Sequence, residues 1–360
     1  MNPEPSRWKT LSRRDPDFLT YLDGSFSATH LALPVSSLNV GTAREEVTFE
    51  IRADSEVQSP SFLKTAWQMI RPSSLIFSLG PMLATFFFCL AHGLILTAIA
   101  KSIAISSFIG VLFFHIAVNL LNDYGDHMKG QDRLRLRGGS RAIQNGWIRA
   151  IRVKQTGWLM IIMAALCGLP AIVLHFAPLV IVAALALLVA LEFSFQKLRL
   201  KYRGWTEIMA FLMTGPLLSC GFAWAMTGGV TFPEAVLGCI FGSTALMYFH
   251  SANFENIMAD SQSGVQTWAT RTGFDSSKRF FYFTAFLVIA FSGAFIFFIE
   301  QDSRLLPLIV AQVFFLIPVC LRVKSLNSPL ASGLVRLRLE AVKLCWLSLV
   351  ALVGGYLWLR

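Results

Sequence analysis

Asparagine and aspartate recur along residues 119–132, NLLNDYGDHMKGQD, at intervals that suit one face of a helix. Asn119, Asn122, Asp123 and Asp126 stand at i, i+3, i+4 and i+7. A helix carried through residue 126 therefore stacks four oxygen-bearing side chains on one stripe. Lys129 and Asp132 follow directly. Carboxylates this close repel one another and are costly beside a bilayer unless a cation compensates them. Hard oxygen donors with room for water suit Mg2+, which takes one or two carboxylates and completes its shell with substrate phosphate. A solvated helix end with ordinary aspartate turns is the plainer alternative.

A second stretch, HSANFENIMADSQSG (250–264), repeats the theme. Asn253, Asn256 and Asp260 fall at i, i+3 and i+7, with Glu255 off that stripe. Two polar helix ends at one membrane level are expected to hold a metal–phosphate cluster between them. Two basic loops, RLRLRGGSRAIQNG (133–146) and KLRLKYRGWTE (197–207), offer arginine forks and glycine-flanked N–H groups, both good phosphate ligands. Arg141, Lys201 and Arg203 sit in motifs there rather than in plain charge runs. The other basic residues fit topology anchors or lipid headgroup contacts.

These residues need helices that cross a membrane. The chain is 55% hydrophobic and 14% charged, against roughly a quarter charged in ordinary soluble domains. Nine apolar runs, near 72–91, 100–121, 156–175, 177–195, 206–227, 234–252, 279–299, 304–321 and 339–358, are long enough to span. A β-barrel would show short alternating segments instead. The expected class is all-α, a polytopic bundle around a central cavity. The net charge of +10 lies mostly between the apolar runs, which speaks for topology and against nucleic acid. Lysines and arginines crowd one side, so that side is expected to be cytoplasmic, with the N-terminus inside and the C-terminus outside. The localisation this implies is the inner (cytoplasmic) membrane. The six cysteines lie in or beside apolar runs with no CxxC pair and read as small buried hydrophobes.

The N-terminal stretch MNPEPSRWKTLSRRDPDF has no apolar segment of the signal-peptide kind behind its charges. Residues 1–65 are expected to be a polar cytoplasmic extension with little fixed structure. EEVTFEIRAD (45–54) alternates like a strand, but a lone strand is not stable. Residues 66–360 form the membrane domain.

In these motifs the chain resembles the UbiA superfamily of intramembrane aromatic prenyltransferases, and most of all the branch acting on 1,4-dihydroxy-2-naphthoate in menaquinone biosynthesis. The resemblance covers about 66–358. Arg71-Pro72 opens the first span, and Pro81 follows. The family's NxxNDxxDxxxGxD is met by Asn119, Asn122, Asp123, Asp126, Gly130 and Asp132. A GxRxxQxG element is met by Gly139, Arg141, Gln144 and Gly146, and LKYRGxxE by Leu200 through Gly204 with Glu207. Gly215-Pro216 comes after. The second aspartate motif departs: Asn256 stands for its first aspartate, Glu255 for an arginine and Val265 for a lysine. The PxP ahead of LKYRG is replaced at Lys197 and Arg199.

The resemblance implies transfer of a polyprenyl group from its diphosphate to an aromatic acceptor, with Mg2+ as cofactor and the lipid bilayer as surroundings. It implies Asn122, Asp123, Asp126 and Asp260 as metal–diphosphate ligands, supported by Asn119, Asn253 and Asn256. Lys129, Arg141, Lys201 and Arg203 would meet the diphosphate or an acceptor carboxylate, and Tyr202 would line the site of the allylic cation. Three competing readings remain: a weakened relative that binds prenyl lipid or a partner without turnover, a family member with a different acceptor, and a transporter with an intramembrane ion site. Transporter sites lie near the midplane on broken helices, whereas these stripes lie at a membrane mouth.

Overall fold

Eight helices among the described residues are long and apolar enough to cross a membrane, and a shorter apolar helix follows the third. The chain is an integral membrane protein of the all-α polytopic class, close to the expected nine spans. The computed structural model describes residues 7–95, 97–134, 138–195, 204–262 and 264–358. Lys201, Tyr202 and Arg203 lie outside the described residues.

In chain order the elements are β1 (Trp8–Ser12), α1 (Phe18–Asp23), β2 (His30–Leu38), β3 (Glu46–Ala53), α2 (Phe62–Ile70), α3 (Pro72–Ala91), α4 (Ala98–Met128) and α5 (Gln131–Leu134). There follow α6 (Ala150–Leu174), α7 (Phe176–Phe195), α8 (Thr206–Thr214), α9 (Pro216–Thr227), α10 (Phe232–Glu255) and α11 (Ile257–Gln262). The last are α12 (Trp268–Thr272), α13 (Phe274–Ala294, continued by a π-helical turn Phe295–Glu300), α14 (Leu306–Lys324) and α15 (Leu334–Trp358). They divide into two compact units: Met1–Pro72, Phe114–Ile162 and Ala190–Leu198 in the first; Ser73–Phe113, Met163–Val189 and Arg199–Arg360 in the second.

The first unit corrects the expectation of a weakly structured N-terminal region. Its three strands form an antiparallel sheet of order β1-β3-β2. EEVTFEIRAD is therefore not a lone strand: β3 is the central one, paired on both sides. Its alternation turns Val47, Phe49 and Ile51 inward. Leu11, Ala32 and the α1 residues Phe18 and Leu22 complete a small core, with Met128 from the end of α4 packed against it. On the other face Glu50 is held by Arg7 and Arg52. The hydrogen bond from Arg52 pulls the Glu50 carboxyl below the usual carboxylate range. The sheet is thus built onto the aspartate-bearing helix. A second small core, Met69, Leu120, Ala142, Ile143, Ala150 and Val153, ties α2, α4, the 141–143 loop and α6 together.

In the second unit α10 is the central helix, packed against α8, α9, α13 and α15. A capping box of Thr231 and Glu234 fixes its start. The expected 206–227 span is two helices, because Pro216 cannot donate into the α8 ladder. At the break Gly215 meets Gly238 and Gly242, one turn apart on α10; a Cβ on Gly215 would lie 2.7 Å from the Gly242 Cα. Small residues at that spacing let two backbones touch, the usual way membrane helices gain contact.

Candidate functional site

The first polar cluster belongs to the first unit. α4 runs through Met128, so the helix does carry the 119–126 stripe as its periodicity predicts. Asn119, Asp123 and Asp126 are buried and Asn122 is half-buried. Each has a defined neighbour. The Asn119 amide donates to the Ile70 carbonyl at 3.0 Å, which joins the stripe to the end of α2. The Asn122 Nδ2 donates to Asp126 Oδ2 at 3.2 Å, one turn on. Asp123 forms an ion pair through Oδ1 with Arg71. Its Oδ2 accepts the Ser140 backbone N–H at 3.1 Å.

Two backbone conformations make the Asp123 contacts possible. Arg71 is the cap of α2 in a left-handed conformation (φ 55°), unusual for a residue with a Cβ and set immediately before a proline. Gly139 has φ 60°, and a Cβ there would lie 2.9 Å from Asp123 Oδ1, so only glycine lets the loop come this close. Arg71 was visible in the sequence as the start of a span, and the Gly139 motif as a match; their convergence on one carboxylate was not.

The loop after α4 is held by the remaining motif residues. Arg141, also left-handed (φ 60°), donates from Nη1 to the Asp132 carbonyl at 2.7 Å. Gln144 Nε2 donates to Asp132 Oδ2 at 2.8 Å. Asp132 is 5% exposed, and among the described residues it acts in fixing this loop. Lys129 is half-buried at the end of α4.

The second cluster belongs to the second unit. The single helical stripe expected for Asn253, Asn256 and Asp260 is interrupted: α10 ends at Glu255, Asn256 caps it, and α11 begins at Ile257. The turn is continued by Asp260 N–H donating to the Asn256 carbonyl at 2.8 Å. Asp260 is fully buried. The Asn256 amide donates back to Ala252 O at 2.8 Å, within its own helix. Asn253 Nδ2 donates to Glu207 Oε1 at 2.8 Å, and His250 Nδ1 lies 3.7 Å from the same oxygen. His250 Nε2 in turn faces the Ser277 carbonyl at 2.9 Å. Glu207 is thus the buried acceptor for Asn253, and His250 lies behind Glu207; of the two, Glu207 was signalled in sequence by its place in LKYRGxxE.

The departures in this second motif have structural partners. Glu255 pairs with Arg338 of α15 at 2.8 Å, and Val265 is buried at 2% exposure, no place for a lysine. Arginine at 255 would set two guanidinium groups together in a largely buried spot. Glu255→Arg is expected to cost about 3 kcal/mol, the usual penalty of breaking a buried pair, read as a lower melting temperature of the purified protein. Glu255→Arg with Arg338→Glu is expected to recover it.

A hard divalent cation fits the donor set of the first cluster. Asp123 and Asp126 are carboxylates with amide oxygens of Asn119 and Asn122 on the same stripe. Among the described residues no three His, Cys, Asp or Glu side chains form a ready cage. Mg2+ binds through one or two carboxylates and fills the rest of its octahedron with water and substrate oxygens, so a cage is not what it requires.

Residues 78–330 match the UbiA prenyltransferase family. A curated relative, the 1,4-dihydroxy-2-naphthoate octaprenyltransferase of Escherichia coli (strain K12), is 26% identical over 187 residues, which is 49% of this chain and 60% of that protein. The chain thus spans less than two thirds of that relative's length. A solved structure concerned with digeranylgeranylglyceryl phosphate synthase superposes with a TM-score of 0.55 at 19% identity, covering 82% of this chain and 98% of the other. A UbiA homologue from Archaeoglobus fulgidus bound to DMAPP and Mg2+ gives 0.53 at 14% identity, covering 80% and 99%. The same homologue bound to GPP and Mg2+ gives 0.55 at 13%, covering 80% and 99%. At these identities the superpositions speak for the fold.

Proposed function

Because this chain belongs to the UbiA prenyltransferase family, we propose that it moves a polyprenyl group from its diphosphate onto 1,4-dihydroxy-2-naphthoate in menaquinone biosynthesis. The observation that carries the reading is the buried stripe on α4, where Asp123 and Asp126 are held in place at the end of a membrane span. In this reading the span ends on the cytoplasmic side of the inner membrane, with the N-terminus inside and the C-terminus outside. The curated relative's activity supports the choice of acceptor.

Asp123 and Asp126, with Asn119 and Asn122, would hold Mg2+. When bound, the ion neutralises charge on the diphosphate and so favours its departure. The chain's own residues do the rest. Arg71, already paired with Asp123, and Arg141 bring fixed positive charge to the leaving group. Lys129, Lys201 and Arg203 are assigned to the diphosphate or the acceptor carboxylate. Asp260, with Asn253 and Asn256, is assigned as a further metal–diphosphate ligand set, and Tyr202 to the face of the allylic cation. The allylic C–O bond breaks with its electron pair leaving on the diphosphate. An electron pair of the acceptor ring then forms the new C–C bond to the prenyl carbon, and the ring regains aromaticity by losing its carboxylate as CO2. Exclusion of water protects the cation.

The test is reconstitution of the purified chain with Mg2+, prenyl diphosphates of several lengths, and either 1,4-dihydroxy-2-naphthoate or 4-hydroxybenzoate. Prenylated naphthol with release of CO2 is expected. Prenylation of hydroxybenzoate alone would keep the reaction class and replace the acceptor. A second reading is favoured by Glu255, Asn256 and Val265 being built into the fold: a relative that binds prenyl diphosphate without turnover. Binding with no product from either acceptor would select it.

A further inference from the structure

The three-stranded sheet lies ahead of the residues that match the family, yet it grips the loop that follows the aspartates of α4. Glu45, immediately before β3, is fully buried. One of its carboxylate oxygens pairs with Arg13 and the other with Arg133. Arg133 is the neighbour of Asp132, and its side chain is only 7% exposed. Arg13 also donates to the Met128 carbonyl at 3.3 Å, and Arg133 to the His127 carbonyl at 3.4 Å. Both arginines therefore join the sheet to the last turn of the aspartate-bearing helix.

A second link runs independently. His127 Nε2 faces the Leu22 carbonyl of α1 at 2.9 Å, its Nδ1 lies 3.4 Å from Gln144 Nε2, and Gln144 also bonds Asp132. A third is Arg149, which donates to the carbonyls of Ser27 and Ala28 and to Asp54. An Arg–Glu–Arg triad this deep adds little net stability, because desolvation cancels most of the attraction. What it does supply is fixed geometry at Asp132, on which Arg141 and Gln144 converge.

We propose that Glu45 is a positioning residue for diphosphate binding: through Arg133 it fixes the Asp132–Arg141–Gln144 loop, and so the N-terminal sheet is part of the catalytic apparatus rather than an appendage. This rests on the reading of the chain as a prenyl diphosphate transferase. The effect belongs in binding rather than in the chemical step, since Glu45 touches the loop and not the carboxylates of the α4 stripe.

The experiment compares Glu45→Gln with Glu50→Gln in the full-length protein. Glu50 is equally a buried, doubly paired carboxylate of the same sheet, but its partners are Arg7 and Arg52, away from the loop. Three readouts are taken: calorimetric affinity for inorganic pyrophosphate with Mg2+, the KM and kcat for a prenyl diphosphate, and amide hydrogen exchange at residues 127–133 and 139–146. E45Q is expected to weaken pyrophosphate by about 10–100-fold, the range for losing an outer partner of a binding shell, and to raise KM while kcat stays near wild type. Exchange at the loop should quicken, and Glu45→Asp should restore part of each value. E50Q should change none of them. Wild-type affinity in E45Q, or an equal loss in E50Q, would overturn the proposal. Should E45Q not be recovered folded, Arg133→Lys reads the same linkage through the same three measurements, and wild-type values there overturn it equally. If the wild-type protein itself neither binds pyrophosphate nor turns over, the transferase reading fails. Loop exchange in the variants then still decides whether the sheet holds the loop.

Discussion

Turnover of prenyl diphosphate by Asp126→Asn is expected to fall about 10³-fold, the scale of removing a key charge from a preorganised electrostatic site. Asparagine keeps the shape and can still accept from Asn122, so the helix and its packing should survive. What is lost is the negative charge that a hard cation requires. The half-saturating Mg2+ concentration should therefore rise together with the loss of kcat. Asp123→Asn is expected to lose as much activity and also stability. Its charge is the partner of Arg71, and an uncompensated buried charge costs about 3–5 kcal/mol. The pair of variants thus separates two roles that a single substitution would confound. A melting temperature near wild type in D126N and a lower one in D123N, with both inactive, is the expected pattern. Wild-type turnover in both variants would remove the transferase assignment.

Asp260→Asn is expected to reduce kcat/KM by about 10²-fold. HSANFENIMADSQSG carries two carboxylates, and Glu255 is committed to Arg338. Asp260 is then the anion this segment has for a cation, and it is fully buried in a turn tied to Asn256 and Val265 by backbone hydrogen bonds. The backbone bonds do not depend on the side chain, so the turn should persist in the variant. Activity measured across a range of Mg2+ concentrations, with melting temperature as a control, checks this. Full activity in D260N would mean that the second motif serves structure only.

Most of the membrane architecture was legible because it rests on local signals. Apolar run length marks each span, and the 3.6-residue period marks the α4 stripe, which the structure carries on one continuous helix. The sheet was not legible for the opposite reason. WKTLS is five residues long, and HLALPVSSL contains Pro34 beside a register shift, so neither alternates cleanly. Their pairing with β3 depends on neighbours in space, not in sequence. The same holds at the site. Arg71 and Asp123, or Glu45 and Arg133, are far apart along the chain, and nothing in either segment alone names the other. The helix break at Asn256 was missed because asparagine ends a helix only when its surroundings, here the turn into α11, favour it.

The short helix α2 has two unlike sides. Its inner side seats Met69 among the residues under the 141–143 loop and sends Gln68 to the Ser140 carbonyl at 2.9 Å. Its outer side shows Phe62, Leu63 and Trp67, 83%, 77% and 67% exposed. Such a face is at ease in the zone where acyl chains meet headgroups, not in water. The same nine residues therefore offer an apolar flank suited to lipid on one side and steady the Asp123 loop on the other. Solvation of the protein's rim becomes a variable of its chemistry: acyl composition, or the surfactant used to extract it, will tune how firmly that carboxylate is held.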